Sequence, residues 1–202
     1  MHGKNTSKEV REYIKAKHSD ITQYLKNLME TGFVVKKVPV TENERPKRGR
    51  CFIGDTFVAF WFRYMYPNLS SNEEGIFDIE ELKKDYANYL GTVFEGIARQ
   101  FLIELNKRGS LPLRFSKIGG WWHKADEIDL VALNEREEKA LIVEVKWREL
   151  GKNETSKILE DLREKAELIE LEDYVVYWGI VARKVSERSE LVGDLRDFSR
   201  VV

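Results

Sequence analysis

Apolar positions along the chain change period several times, and each change predicts an element. Residues 8–17 read as a helix. Ser19-Asp20 can cap a second, in which Ile21, Tyr24, Leu25, Leu28 and Met29 recur at helical spacing and Gly32 provides the stop. Residues 33–40 then predict a strand, with Cys51-Phe52-Ile53 as its return. Residues 55–66 are too apolar for a surface helix, so they predict a buried connector that Pro67 ends. The polar, Gly-containing residues 68–78 place a domain boundary, between a unit at 1–67 and one at 76–202. A helix over 79–107 carries a stripe of Ile79, Leu82, Tyr86, Leu90, Val93, Ile97, Phe101 and Leu105. A strand over 111–117, a flexible turn at Gly119-Gly120-Trp121-Trp122, strands over 127–133 and 141–147, and a helix over 153–170 follow. Residues 174–182, almost all apolar, predict a central strand covered on both faces, and a helix over 187–198 closes the chain. The fold class is α/β (α+β).

The pair of strands over 127–133 and 141–147 is the most informative part. Between them run six consecutive polar residues, Asn134 to Lys139, followed by Ala140, which signals a hairpin. A turn centred between Arg136 and Glu137 sets Asp129 opposite Glu144 and Glu127 opposite Lys146. All four side chains then project on one face. Cross-strand neighbours lie about 4.5–5.5 Å apart at Cβ, where like charges repel. Two carboxylates held together on apolar strands call for a positive charge between them, and a divalent cation supplies it. A one-residue slip would remove the arrangement. The alternative is an edge hairpin with a solvated charged face.

Composition narrows the classes. Hydrophobic content of 42% with five Trp, eight Tyr and ten Phe supplies a core, which excludes wholesale disorder. With Cys51 as the single cysteine there is no disulfide framework and no thiolate metal cluster. No apolar run approaches the roughly 18 residues that span a bilayer, so no membrane partner and a cytoplasmic location are expected. The net charge of −1 conceals an asymmetry: residues 1–50 carry a net of +6 and residues 51–202 a net of −7. Lys36, Lys37, Arg45, Lys47, Arg48 and Arg50 concentrate the positive charge around a loop after the second helix, as a surface facing a polyanion would. An ordinary αββ unit with a solvated loop is the other reading of that segment. His2, His18 and His123 lack metal-ligand spacing, no Ser-His-Asp pattern is present, and Trp121 and Trp122 suit core packing better than base stacking.

Helix followed by a hairpin with a cationic tip, over residues 8–55, resembles the second half of a winged helix-turn-helix. The order helix with Glu95, strand, strand with Asp129, strand with Glu144-Val145-Lys146, helix, strand resembles the core of the PD-(D/E)XK nuclease superfamily, over roughly residues 79–183. A resemblance spanning nearly the whole chain rests on Tyr24-Leu25, Gly32-Phe33-Val34, Asp55-x-Phe57, Phe60-Trp61-Phe62-Arg63, Gly91-x-x-Phe94-Glu95, Gly119-Gly120-Trp121-Trp122 and Glu127-Ile128-Asp129. Together these look like the C-terminal region of the archaeal AAA-type ATPase family, a winged helix followed by a nuclease-like domain. The sequence departs from that family in having no G-x-x-x-x-G-K-[ST], so ATPase activity is not carried over. The helices expected before the winged-helix pair are also absent, and the chain reads as a truncated product or a fragment.

The resemblance implies a restriction-endonuclease-like mixed sheet preceded by a truncated winged-helix unit. It implies weakly bound Mg²⁺ or Mn²⁺ on Asp129 and Glu144, with the Val145 carbonyl and Glu95 completing the ligands. Lys146 then orients or deprotonates the attacking water, and Glu127 is a spare ligand or supports the others. DNA is the expected partner, with an ATPase domain or subunit alongside and a homodimer surface as another use of the truncated winged helix. The rival expectation is a catalytically silent, DNA-binding or regulatory portion of an archaeal ATPase.

Overall fold

The computed structural model describes residues 5–15, 18–42, 49–186 and 191–198. It divides into two compact units, Met1–Val38 with Glu42–Tyr89, and Pro39–Thr41 with Leu90–Val202. No helix among the described residues is long and apolar enough to cross a membrane.

The first unit begins with helix α1, Ser7–Ile14, whose N-terminus is closed by a reciprocal cap. The Glu9 amide donates to Thr6 Oγ1, and the Glu9 carboxylate accepts from the Thr6 amide. Lys15 adopts φ 53° and caps α1, and residues 16 and 17 of the expected helix lie outside the described residues. Helix α2, His18–Glu30, stops at Gly32 with φ 78°, as its sequence predicts. Strands β1, Val34–Lys37, and β2, Arg50–Ile53, form an antiparallel hairpin that pairs Val34 with Ile53 and Lys37 with Arg50. At its far end a Cβ on Gly54 would lie 2.5 Å from the Gly32 carbonyl oxygen, so only glycine fits there.

The expected buried connector is a correction. Helix α3, Thr56–Phe60, runs into a π-helical turn, Trp61–Met65, and a short 3₁₀ turn, Tyr66–Asn68. Only Tyr64 is buried, while Phe57 and Phe62 are 68% and 53% exposed. Pro67 sits within the 3₁₀ turn, where its missing N–H costs little, and helix α4, Leu69–Glu73, follows inside the segment expected to hold the domain boundary. The order in this unit comes from polar and aromatic pairing instead. Arg63 donates bidentately to Asp85, Nε to Oδ2 at 2.6 Å and Nη2 to Oδ1 at 2.8 Å, and the Tyr64 hydroxyl donates to Oδ2 at 2.9 Å. The rings of Phe60, Tyr64, Tyr86 and Tyr89 cluster around that pair.

The second unit is built on a five-stranded mixed sheet: β3 Lys117–His123, β4 Asp126–Asn134, β5 Lys139–Leu150, β6 Val175–Val185 and β7 Val192–Asp194, in that spatial order. The first three strands are antiparallel and the last three parallel. Helix α5, Ile79–Arg108, covers one face, its Phe94, Ala98 and Leu102 packing with Leu130, Ala132, Leu141, Val143, Val145 and Val181. Helix α6, Lys152–Ala166, covers the other, its Leu162 and Ala166 against Val131, Leu133 and Ile142, and its Ile158 and Leu159 against Ile180 and Ala182.

Four sequence expectations differ here. Gly119 to Trp122 is strand β3 rather than a turn, and the segment before it is irregular. Trp121 and Trp122 are buried, as core packing expects. The buried stripe of α5 is Phe94, Ala98 and Leu102, rotated from the expected Val93, Ile97 and Phe101, because Ile97 faces outward at 45% exposure. The closing helix is only α7, Leu195–Phe198, preceded by β7; residues 187–190 of the expected helix lie outside the described residues.

Candidate functional site

The register of β4 against β5 is the one read from the turn. Leu130 pairs Val143, Val131 pairs Ile142 and Asn134 pairs Lys139. The next step brings Asp129 to Glu144, and there the ladder stops. A bulge explains why: Gly119 pairs Val131 but Trp121 pairs Ile128, so Gly120 alone stands opposite Asp129 and Leu130. A Cβ on Gly120 would lie 3.4 Å from the Asp129 carbonyl oxygen, in ordinary van der Waals contact. Bulges bend a strand and re-aim side chains. Here the Asp129 carboxylate takes a ladder position, and the Val145 amide donates to its Oδ2 at 2.7 Å.

Glu144 lies on the same strand face as Ile142, toward α6, and is 7% exposed. The Lys146 ammonium donates to its Oε1 at 2.5 Å. Its Oε2 is buried and has no hydrogen-bond partner among the described residues. An unsatisfied buried carboxylate oxygen costs several times what a made hydrogen bond contributes. Burial first, and then the neighbouring Glu144 charge, raise the Asp129 carboxyl to about pKa 6. The Val145 amide and Lys146 oppose that rise, while Glu127 adds to it.

The structure thus brings together Asp129, Glu144 and Lys146. Glu95 is carried by α5. That helix packs on the opposite face of the sheet, and Phe94, next to Glu95, meets Trp147 edge-on at 5.2 Å, at the same end of β5. Glu127 is exposed. Among the described residues no group of three or more His, Cys, Asp or Glu side chains is placed to hold a metal ion. The donor set that fits a hard, partly hydrated cation is therefore two carboxylates. The Val145 carbonyl faces the same gap, because an extended residue presents N–H and C=O to one edge.

In the first unit the β1–β2 pairing sets Lys36 opposite Cys51 and Lys37 opposite Arg50. Two cations directly opposite repel, and Lys37 Nζ sits 4.8 Å from the Phe52 ring centroid. Arg45, Lys47 and Arg48 lie outside the described residues.

Sequence reasoning missed the Asp129–Val145 amide bond. The signal was the glycine pair Gly119-Gly120, which inside a strand marks a bulge rather than a turn.

Residues 61–158 match the DUF234 family, described as archaea bacterial proteins of unknown function. Glu95, Asp129, Glu144 and Lys146 all fall inside that segment. The chain is 52% identical over 200 residues to the uncharacterized protein MJECL04 of Methanocaldococcus jannaschii, covering 98% of this chain and 46% of the relative. The chain thus spans about half the length of the curated relative it matches. No solved structure matches.

Proposed function

We propose that the protein is a DNA-associated, Mg²⁺- or Mn²⁺-dependent nuclease whose site is Asp129, Glu144 and Lys146. The observation that carries this reading is the buried Glu144 Oε2, left without a hydrogen-bond partner beside a second carboxylate. A bound divalent cation would polarise a phosphoryl oxygen and make a water more acidic. Asp129 and Glu144 would hold that cation, with Asp129 oriented by the Val145 amide. Lys146, tied to Glu144 Oε1, keeps a positive charge at the mouth of the site, where it can orient water and offset charge developing on phosphate. Glu95, carried by α5, would ligate the divalent cation directly or through water. The winged-helix reading of the first unit, with phosphate contacts from Lys36, Lys37, Arg45, Lys47, Arg48 and Arg50, and an ATPase partner belong to the same proposal.

A second reading, a DNA-binding module without turnover, is favoured by one observation: no third carboxylate joins Asp129 and Glu144 among the described residues. Incubation of supercoiled, linear, branched and single-stranded DNA with Mg²⁺ or Mn²⁺, beside Glu144→Gln, separates the two. The nuclease reading expects metal-dependent cleavage that the variant does not show. Binding without cleavage of every substrate selects the second reading.

A further inference from the structure

Immediately after Lys146 the parallel pairing of β5 with β6 slips. Lys146 pairs Ala182, but the next pair is Glu149 with Lys184, so Trp147 and Arg148 together stand opposite Arg183. A second bulge therefore lies at the site's end of the sheet. Its consequence is an unusual cation. Arg148 hydrogen-bonds Glu154, Lys184 hydrogen-bonds Glu149, and Arg196 is held by Asp194. Arg183 is exposed and has no carboxylate hydrogen bond among the described residues, although Glu149 lies within its field. Its guanidinium carbon sits 5.8 Å from the centroid of the Trp147 ring. That ring is also met edge-on by the fully buried Phe94.

A guanidinium over an aromatic ring uses its face and keeps its N–H groups in plane, available to a bidentate acceptor such as phosphate. With strands about 4.8 Å apart and a rise of about 3.3 Å per residue, Arg183 begins within about 6 Å of the Lys146 backbone. It projects from the opposite face at the same end. A strand draped over that end would meet both side chains.

The geometry points to Arg183, supported by Trp147, as the anchor for a backbone phosphate of a DNA strand entering the Asp129–Glu144–Lys146 site. The inference rests on the nuclease reading for the site but has its own readout. Binding of fluorescein-labelled single- and double-stranded oligonucleotides to the full chain is measured against salt, with Ca²⁺ replacing Mg²⁺. Wild type is compared with Arg183→Ala and Arg183→Gln, and circular dichroism checks folding. Each variant is expected to bind roughly tenfold more weakly, with the slope of log K against log salt flatter by about one phosphate. Retained slope in either folded variant, or no binding by wild type, overturns the anchor. Absence of cleavage by wild type with normal Arg183-dependent binding overturns the nuclease reading alone.

Discussion

The Asp129 carboxylate accepts the Val145 amide proton at 2.7 Å, in a place where an uninterrupted ladder would put a backbone carbonyl. One side chain thereby ends the β4–β5 pairing, opens a gap at the edge of β5 and is held beside Glu144. The arrangement costs stability. Burial and the Glu144 charge raise Asp129 to about pKa 6, against about 3.9 in an unfolded chain.

The sign of that cost is testable. Between about pH 4 and pH 6 the native carboxyl keeps its proton while the unfolded one has released it, so stability falls as pH rises through this window. Above about pH 6 the full penalty, on the order of 1–3 kcal/mol, is present. Asp129→Asn retains an acceptor for the Val145 amide and has no proton to release. In urea melts without divalent metal it should be more stable than wild type at pH 8, with the gain shrinking toward pH 4. A gain that does not change with pH, or a loss at pH 8, would sink this account of Asp129.

Asp85 presents the opposite case. The Arg63 guanidinium holds its carboxyl well below the usual carboxylate range, with burial opposing and Asn88 and Tyr64 assisting. Its contribution is complete above the unfolded value of about 3.9 and disappears as pH falls toward the folded one. The pair is 30% and 40% exposed, so solvent screening keeps the effect modest. Asp85→Asn should lower the melting temperature at pH 7 and do so less at pH 2.5. Equal losses at the two pH values would show that the ion pair is not what stabilises this helix contact.

How much of this was legible in sequence depended on whether a local signal existed. The β4–β5 register was readable because a six-residue polar loop separates two apolar runs, and alternation then places Asp129, Glu144 and Lys146 on one face. The face of α5 was not. That helix has apolar residues on two sides, and only tertiary packing selects Phe94, Ala98 and Leu102 over Val93 and Ile97. Glu95 lies only about 20° from Leu102 on the helical wheel, which makes it a plausible site residue by pattern. Glu95's helix packs on the face of the sheet opposite that of Ile142 and Glu144, a relationship no spacing records. Residues 55–66 failed for a different reason. Hydrophobicity reports a tendency toward burial but not the partner, and Phe57 and Phe62 remain exposed.

For the basic hairpin, the +6 charge of residues 1–50 predicts phosphate contact without base reading. Replacing Arg45, Lys47, Arg48 and Arg50 by Ala should weaken binding to all duplex sequences alike. It should also flatten the salt slope by about 0.9 for each phosphate that the variant no longer neutralises. An unchanged slope would remove the hairpin from the DNA-contacting surface and leave the β5–β6 end to bear it.

The central claim is that the unsatisfied Glu144 oxygen and Asp129 hold a divalent cation. Titration with Mn²⁺, following the decay of the free-ion electron paramagnetic resonance signal, measures this without requiring turnover. Wild type should bind one Mn²⁺ that Mg²⁺ displaces, and neither Glu144→Gln nor Asp129→Asn should retain that site, although both remain folded. Wild type and both variants binding Mn²⁺ with the same stoichiometry and affinity would contradict the account.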